Sequence, residues 1–378
     1  MDIFEVDKNF IKEDMDLDDK EFFSVLDIPD CLYGIFFDYD DKIFRRIPKS
    51  IAEKTSEGVA YVAKNTAGGR IKIKTDSPYL CLKVIEPFEK LLSSMPSQSQ
   101  FGFSIEEKDV FHGVISPNIY EEFVVNRKNH FEFEGIVFFS PEKKVRDLTI
   151  YFPLYNTVNS VLIGVQKGSI LKGSEYGNKK PIVFYGSSIT QGAASGRAGS
   201  DYVSVLCKRL DSDYMNLGFS GSCLAEDEIV DYIGSVDARA FVLGYDHNSS
   251  YEEYKTNHYK LYERIRDKNK KTPIIVFTRP NTERNFFEYK GKKIEFSEDK
   301  YVDTISHKRN KIALETYKTA RKNGDKNIYF INGNEFFGKE DRVLCTADCC
   351  HPTDLGFYKM ANRIYPVLKK ALKKSKSD

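Results

Sequence analysis

The sequence predicts a two-domain α/β protein, in which an antiparallel β-sandwich precedes a domain with a central parallel sheet. In the first half, short runs alternate apolar and polar residues between turn signals, which is typical of half-buried strands. After about residue 175, apolar strand-like runs alternate with segments of helical length, as they do in βαβ units. The length of 378 residues suits two domains, and we place them at 1–175 and 176–378.

Composition and charge narrow the classes of partner. The chain is 41% hydrophobic and contains 28 Phe and 23 Tyr. This apolar content is enough for a sizeable core and argues against global disorder. Lys and Arg number 57 against 56 Asp and Glu, so no net field attracts nucleic acid or acidic membrane. No apolar run approaches a membrane span, and residues 1–8 lack the pattern of a secretory signal. We expect a cytoplasmic protein without nucleic-acid or membrane partners, and the sequence leaves its oligomeric state open.

The cysteines predict no metal site. There are seven, an odd number without a C-x-x-C pair, which favours reduced and mostly packed thiols. The triplet 349–351, CCH, is compatible with zinc at first sight. However, adjacent cysteines are awkward ligands for one tetrahedral ion, and no second Cys/His pair lies nearby at ligand spacing. We therefore expect neither a metal nor another cofactor.

The predicted strands of the first half are short and regularly spaced, which suggests a jelly-roll-like sandwich. They are 70–75, 79–85, 131–139, 147–152 and 160–165. This half shows no cluster of His, Cys or carboxylates that makes a candidate site. The polar stretch 172–180 is interpreted as a linker to the second half.

In the second half, five strand-like runs are separated by segments of helical length. The runs are 182–185, 214–217, 240–244, 274–278 and 328–331. The helices are expected over 202–210 and near 224–233, 251–267, 300–322 and 354–373. Ser200 is placed to cap the first of these helices, and His258 and His307 are expected at the surface. The charged segment 281–300 is interpreted as an excursion that borders the pocket.

Polar residues cluster just past the ends of four predicted strands. These clusters are 186–190 (GSSIT), 216–222 (NLGFSGS), 244–248 (GYDHN) and 348–356 (DCCHPTDLG). A parallel sheet brings such loops to one rim, where open α/β sheets bind ligands. Ester hydrolysis needs a hydroxyl, a base, a carboxylate that orients the base, and N–H donors for an oxyanion. Together the four loops supply all of these groups.

In this order, the four stretches resemble the sequence blocks of the GDSL, or SGNH, hydrolases over roughly residues 180 to 370. The resemblance implies a flavodoxin-like hydrolase domain. Ser187 stands where that family usually has aspartate, and GYDHN replaces the commoner G-x-N-D. Both variants, with 191–197 and 278–280, are similar to a bacterial branch that carries an amino-terminal β-sandwich. Members of that branch resemble carbohydrate esterases that remove acetyl groups.

The resemblance also implies roles for individual residues. Ser188 would be the nucleophile, with Ser187 as the neighbouring alternative, whose other role is to shape the turn. His351 would be the general base and then the acid for the leaving alkoxide. Asp348 would orient the imidazole, although a turn aspartate and a Ser-His dyad remain the alternative. His351 could also be a structural residue before Pro352.

The resemblance further implies an oxyanion hole, and residues near it are candidates for substrate binding. The backbone N–H groups of Ser188 and Gly221 and the Asn248 amide would form the oxyanion hole. Four further residues are candidates for substrate binding, with salt bridges between loops as the alternative for the two arginines: Asp246, His247, Arg197 and Arg279.

The function predicted is a serine esterase that acts on short acyl esters, in particular O-acetyl groups of a small acylated carbohydrate. Two alternatives stay open. One is a lipid or thioester hydrolase of the same fold, and the other is a carbohydrate-binding relative without activity.

Overall fold

The computed structural model describes residues 19–92, 95–140, 142–282 and 305–375, together with the backbone of 286–289 and 292–295. The strands of the first half are β1 (Lys20–Ser24), β2 (Leu32–Tyr33), β3 (Phe36–Asp38), β4 (Ile43–Arg45), β5 (Arg70–Thr75), β6 (Tyr79–Pro87), β7 (Phe103–Glu107), β8 (Val110–Ile115), β9 (His130–Phe139), β10 (Arg146–Tyr151), β11 (Ser160–Gln166) and β12 (Leu171–Gly173). Those of the second half are β13 (Asn178–Gly186), β14 (Ser212–Gly218), β15 (Ala240–Gly244), β16 (Ile274–Phe277), β17 (Phe286–Tyr289), β18 (Lys292–Glu295) and β19 (Ile328–Ile331).

Helices are fewer in the first half than in the second. The α-helices are α1 (Lys49–Thr55), α2 (Glu57–Val62), α3 (Ser97–Gln100), α4 (Ser188–Gln191), α5 (Tyr202–Leu210), α6 (Asp227–Ser235), α7 (Tyr251–Lys268), α8 (Ile305–Lys322) and α9 (Asp354–Lys374). Short 3₁₀ turns cover Val25–Asp27, Gly333–Glu335 and Arg342–Leu344, and a π-helical turn covers Tyr120–Val125. No helix in these described ranges is both long and apolar enough to cross a bilayer.

Two antiparallel sheets of the first half pack face to face. One has the order β1-β11-β6-β9, and the other has the order β12-β5-β10-β7-β8, with β2 also paired to β5. Inward-facing residues of both sheets share one apolar core, as Ile71 and Ile150 from one sheet and Leu82 and Ile163 from the other illustrate. Alternation along each strand places these side chains on the buried face. The predicted β-sandwich is confirmed.

The second half contains a parallel sheet with the order β14-β13-β15-β16-β19. Numbered within this half, the order is 2-1-3-4-5, which is that of flavodoxin-like folds, so the predicted fold class is confirmed. Helices α6, α7 and α8 cover one face and share a core with Val183 and Tyr185. Helices α5 and α9 cover the other face, where Ile182 and Phe184 point. Strand order reverses at β13, and ligands bind such sheets beside the reversal.

Two local expectations were wrong. The stretch 172–180 is not a free linker, because β12 pairs with β5 and β13 already pairs with β14 at Asn178. Helix α5 is capped by Asp201, whose Oδ1 accepts from Ser204 N at 3.0 Å. Ser200 lies one residue too early, and its hydroxyl bonds to Asp354 instead. The excursion expected at 281–300 lies largely outside the described residues, apart from the β17–β18 hairpin.

His258 is buried, not at the surface as expected. It lies on the inner face of α7, and its Nδ1 is 2.8 Å from Thr316 Oγ1 on α8. Burial lowers its pKa to about 3, so the ring is neutral. Charged neighbours in the sequence occupy the outer face of the same helix, which is why the segment looked exposed. The side chain of His307 lies outside the described residues.

Two buried arginines of the first half bind β14. Arg46 donates to Gly218 O at 2.6 Å and lies over the Phe219 ring. Arg70 forms an ion pair with Asp213 and donates to Tyr214 O at 3.0 Å. Because β14 leads into one of the polar loops at the rim of the sheet, these contacts connect the sandwich half to the site described below.

Candidate active site

The sharp turn after β13 positions Ser188. The chain leaves the strand at Gly186 and enters the one-turn helix α4, whose N-cap is Ser187. The Ser187 hydroxyl accepts from Ile189 N at 3.3 Å, so it holds the turn. Gly192 ends the helix with a φ of 107°, a left-handed conformation that glycine adopts without strain. The hydroxyl of Ser188 is left at the rim of the sheet, and the residue is 8% exposed.

Ser188, His351 and Asp348 form a continuous chain of hydrogen bonds. Ser188 Oγ lies 2.9 Å from His351 Nε2, and His351 Nδ1 lies 2.7 Å from Asp348 Oδ2. The other carboxylate oxygen, Oδ1, accepts from the backbone N–H groups of His351 at 2.7 Å and Cys350 at 3.0 Å. A carboxylate can only accept, so Nδ1 carries a proton, and in a neutral imidazole Nε2 is then the acceptor that faces the serine.

The charge of Asp348 is favoured by this arrangement. Burial opposes ionisation, but the backbone N–H and the ring of His351 outweigh it and lower the pKa of Asp348 below its ordinary value. The turn between the two residues is tight: Cys349 has a left-handed φ of 62°, and Thr346 forms a bridge with Pro352. The carboxylate therefore fixes both the ring and the loop that carries it.

The loops after β14 and β15 are bonded to each other and to the Ser188 loop. Asn248 Oδ1 accepts from Cys223 N at 3.1 Å, which leaves the Nδ2 donors at the other end of the amide. Phe219 N donates to Gly186 O at 2.8 Å. Gly221 has a φ of 70°, and a Cβ built there meets no atom within 4 Å. The rim of the sheet thus carries three adjoining loops that hydrogen bonds hold together.

Comparison with known proteins agrees with this geometry. Residues 179–369 match the GDSL-like Lipase/Acylhydrolase family, and residues 21–171 match the family described as the N-terminus of Esterase_SGNH_hydro-type. The chain belongs to the GDSL-like lipase/acylhydrolase family. The resemblance inferred from the sequence is therefore confirmed, and the class of reaction is ester hydrolysis. A search of curated proteins gave no match.

Solved structures share the whole two-part architecture of this GDSL-family chain. A protein of Bacteroides ovatus assigned as a GDSL-like lipase is 27% identical, with 94% of this chain and 98% of that one covered and a TM-score of 0.79. A salicylyl-acyltransferase from a tetracycline biosynthetic pathway is 17% identical, with 93% and 97% covered and a TM-score of 0.71. An acetyl xylan esterase of Butyrivibrio proteoclasticus is 13% identical, with 94% and 99% covered and a TM-score of 0.55. The last two show the shared fold.

A buried ion cluster supports the Asn248 loop of this GDSL-family protein. Asp246 is 1% exposed, and its Oδ2 accepts from Arg279 N at 3.0 Å. Arg309 of α8 donates to Asp246 O at 2.6 Å. Burial raises the pKa of Asp246, and the two arginines offset this in part. Asp246 and Arg279 are thus engaged with each other, and Arg309 is a member that no local pattern in the sequence indicated.

His247 lies between this cluster and the hydrogen-bonded triad. Burial lowers its pKa well below the ordinary value, with further lowering by the charges of Arg279, His351 and Arg309. Its Nδ1 is buried and has no hydrogen-bond partner within the part of the chain that the structure describes. The ring is therefore neutral and presents one unused nitrogen.

Arg197 belongs to the junction between the two halves. Its Nη2 lies 2.6 Å from Oε1 of the buried Glu106, and its guanidinium stacks on the Phe111 ring at 4.2 Å. Lys208 binds the other oxygen of the same carboxylate at 3.0 Å. Arg197 thus forms a salt bridge to the sandwich half, in line with the structural alternative to substrate binding.

Sequence reasoning missed the contribution of the first half to this GDSL-family site. Tyr155 Oη donates to Ser188 O at 3.3 Å, and Gln191 bonds to Asn65 and Leu154. The segment 191–197 stands out in the sequence, but its contact with the first half is not visible from spacing. Among the residues with described side chains, no three His, Cys, Asp or Glu groups converge as metal ligands would.

Proposed function

We propose that this GDSL-family protein is a serine esterase that removes short acyl groups, O-acetyl groups in particular, from carbohydrates. One observation carries the proposal: two short hydrogen bonds link Ser188 Oγ through the His351 ring to Asp348. This is the connectivity of a nucleophile, its general base and the carboxylate that orients the base. We assign these roles to the three residues, with Ser187 as the cap of α4.

The reaction follows from the direction of the bonds. His351 Nε2 removes the proton of Ser188 as Oγ attacks the acyl carbon, and the ester carbonyl becomes a tetrahedral oxyanion. When the bond to the sugar oxygen breaks, the imidazolium returns the proton to that oxygen, and the acyl group remains on Ser188. Water, deprotonated by the same nitrogen, then attacks the acyl-enzyme, which releases the acid and restores the serine.

The oxyanion hole in this proposal consists of the N–H groups of Ser188 and Gly221 and the Nδ2 donors of Asn248. The bond from Cys223 N to Asn248 Oδ1 supports the assignment, because it orients the amide with its nitrogen end available. Gly221 has a left-handed φ of 70° and open space beside its Cα, and we assign its N–H as a further donor. One such donor lowers the barrier by about 3 kcal/mol in enzymes of this kind.

The carbohydrate assignment draws on the fold neighbours and on His247. Among the proteins that share the architecture, one is named as an acetyl xylan esterase and another as a family two carbohydrate esterase of Cellvibrio japonicus. His247 is partly exposed and its ring is neutral, so the ring can exchange a hydrogen bond with a sugar hydroxyl. We propose His247 as the substrate-binding member of the four candidates, since Asp246, Arg279 and Arg197 have protein partners.

A substrate panel tests the proposal. Wild type, Ser188→Ala and Ser187→Ala are assayed on p-nitrophenyl esters of increasing chain length and on acetylated oligosaccharides. We expect turnover of acetyl esters that Ser188→Ala abolishes and Ser187→Ala only reduces. Equal rates for wild type and Ser188→Ala would remove Ser188 as nucleophile. A preference for long chains would favour a lipid hydrolase, and sugar binding without turnover would favour an inactive relative.

A further inference from the structure

We infer that the amino-terminal half is part of the catalytic apparatus, and that Gln191 is the positioning residue through which it holds the oxyanion loop. The oxyanion loop is defined here as residues 219–223. The inference deepens the proposed esterase function and rests on it. It assigns a catalytic role to the first half of the chain. The other roles open to that half are to stabilise the protein or to bind sugar.

The Gln191 carboxamide joins three segments. It is fully buried, at 0% exposure. Its Nε2 donates to Asn65 Oδ1 and to Leu154 O, each at 3.1 Å, so both N–H groups are used by the amino-terminal half. Its Oε1 accepts from Ser220 N at 3.0 Å. Ser220 directly precedes Gly221, so this bond holds the peptide next to the proposed oxyanion donor.

The same part of the first half also contacts the nucleophile turn. Tyr155 Oη donates to Ser188 O at 3.3 Å. The Leu154 side chain lies against Gly192, where a Cβ would be only 2.8 Å from Leu154 Cδ1. The segment is itself fixed, because Thr66 N donates to Asn156 O at 3.1 Å. Both ends of α4 are therefore braced from outside the parallel-sheet half.

A helix as short as α4 needs such support. One turn fixes several dihedral angles for very few internal hydrogen bonds, so it is unstable by itself. Without Asn65 and Leu154, the buried Gln191 donors would be unsatisfied, and the amide would reorient toward other acceptors. Ser220 would then lose its acceptor, and the Gly221 N–H would lose its fixed direction. Misplacement of about 1 Å near reacting groups lowers rates by about 100-fold.

The test uses the full chain and three variants. Gln191→Met keeps the length of the side chain and removes its hydrogen bonds. Asn65→Leu removes one of the two acceptors that the amino-terminal half offers to Gln191 Nε2, while residue 191 itself is not mutated. Lys208→Met is the matched control, because it breaks a different contact between the halves, with Glu106. Circular dichroism and thermal unfolding establish that each variant is folded before rates are compared.

We expect Gln191→Met to lower kcat on p-nitrophenyl acetate by about 10- to 100-fold with little change in KM, as for a defect confined to the transition state. Affinity for phenylboronic acid, which forms a tetrahedral adduct with the serine, should fall in parallel. Asn65→Leu should give a smaller loss of the same kind, and Lys208→Met should behave as wild type. A folded Gln191→Met with unchanged kcat, or a loss in KM alone, would overturn the inference.

Amide hydrogen exchange gives a readout without turnover. Asn65→Leu should speed exchange at Ser220–Ser222 and leave exchange in β19 unchanged, whereas Lys208→Met should change neither. Unchanged exchange in the oxyanion loop would refute the coupling even if the protein is an esterase. Conversely, if the protein hydrolyses no ester but shows the expected exchange, the coupling stands and the proposed function is wrong.

Discussion

His351 Nε2 lies 2.9 Å from Ser188 Oγ, although 163 positions separate the two residues in the sequence. Ser188 follows β13, the strand at which the order of the sheet reverses, and His351 lies in the turn before α9. The bond therefore depends on the parallel sheet, which brings the carboxyl ends of distant strands to one rim. It also depends on the Asp348 turn, which fixes the ring in the orientation that faces the serine.

The first prediction concerns pH. Protonation of the His351 ring removes the lone pair that accepts the Ser188 proton, so kcat/KM should fall on acidification. His351→Asn should lower kcat by about 100- to 10,000-fold, the range for loss of a general acid-base group. Initial rates on p-nitrophenyl acetate measure both effects. A flat pH profile of kcat/KM, or an unchanged kcat in a folded His351→Asn variant, would contradict the assignment.

The second prediction separates Asp348 from His351. The pKa of Asp348 is lowered in the folded state, so its ionised form contributes stability above the ordinary carboxyl pKa. That contribution is lost only as the pH falls through the lowered value. Asp348→Asn should therefore lose part of the acid dependence of unfolding below about pH 4. It should also lower kcat by about 100- to 10,000-fold, because the ring loses its orienting anion.

Thermal unfolding from acid to neutral pH and rates at neutral pH check this second prediction. Asp354→Asn, a change of another carboxylate at the start of α9, serves as the control for general charge effects. Nearly full activity in Asp348→Asn would instead support a Ser-His dyad, the alternative left open by the sequence.

Much of the fold could be predicted because the periodicity of apolar residues along the chain indicates strands and helices. The alternation at 70–75 and the unbroken apolar run at 182–185 each predicted a strand, and β5 and β13 lie there. The order of four polar blocks indicated the family. The hydrogen-bonded residues Ser188, His351 and Asp348 lie in those blocks, although their catalytic roles remain proposals. The domain boundary at 175 and the cytoplasmic location likewise stay predictions.

The sequence could not predict which buried residues of different elements contact each other. His258 looked exposed because its neighbours along the chain are charged, yet helical geometry turns it inward to Thr316. Arg309 reaches the Asp246 cluster from a helix that no motif marks. Asn65 meets Gln191 although 126 positions separate them. Each contact depends on how two elements pack, and a single sequence holds no local signal for that packing.

The third prediction concerns the ion cluster under the Asn248 loop. Asp246→Ala removes the buried carboxylate that faces both Arg279 and Arg309, so the free energy of unfolding should fall by about 3–5 kcal/mol. Asp246→Asn should lose less, because it keeps an acceptor for Arg279 N. Asp267→Ala is the control, since its exposed pair with Lys270 contributes at most about 1 kcal/mol. Urea unfolding measures all three; equal losses in Asp246→Ala and Asp267→Ala would contradict the structural role of the cluster.

The fourth prediction concerns Glu86 of β6, which is fully buried beside Asn156. Burial raises the pKa of Glu86 well above its ordinary value, and the Asn156 amide offsets this only in part. The folded state therefore holds the proton more tightly than the unfolded chain. The stability from this group is complete below the ordinary carboxyl pKa and is lost as the pH rises toward the raised value.

Glu86→Gln removes this titration and keeps the shape of the side chain. The variant should unfold at a higher temperature than wild type at neutral and alkaline pH, and the difference should shrink toward about pH 4, where the carboxyl is protonated in both states. Glu132→Gln on the adjacent strand β9 is the control, because that carboxylate is half exposed and paired with Lys83. Calorimetry between acid and alkaline pH distinguishes the outcomes. If Glu86→Gln is less stable than wild type at alkaline pH, the carboxylate is charged and satisfied in the folded protein, and neutral burial at this position is wrong.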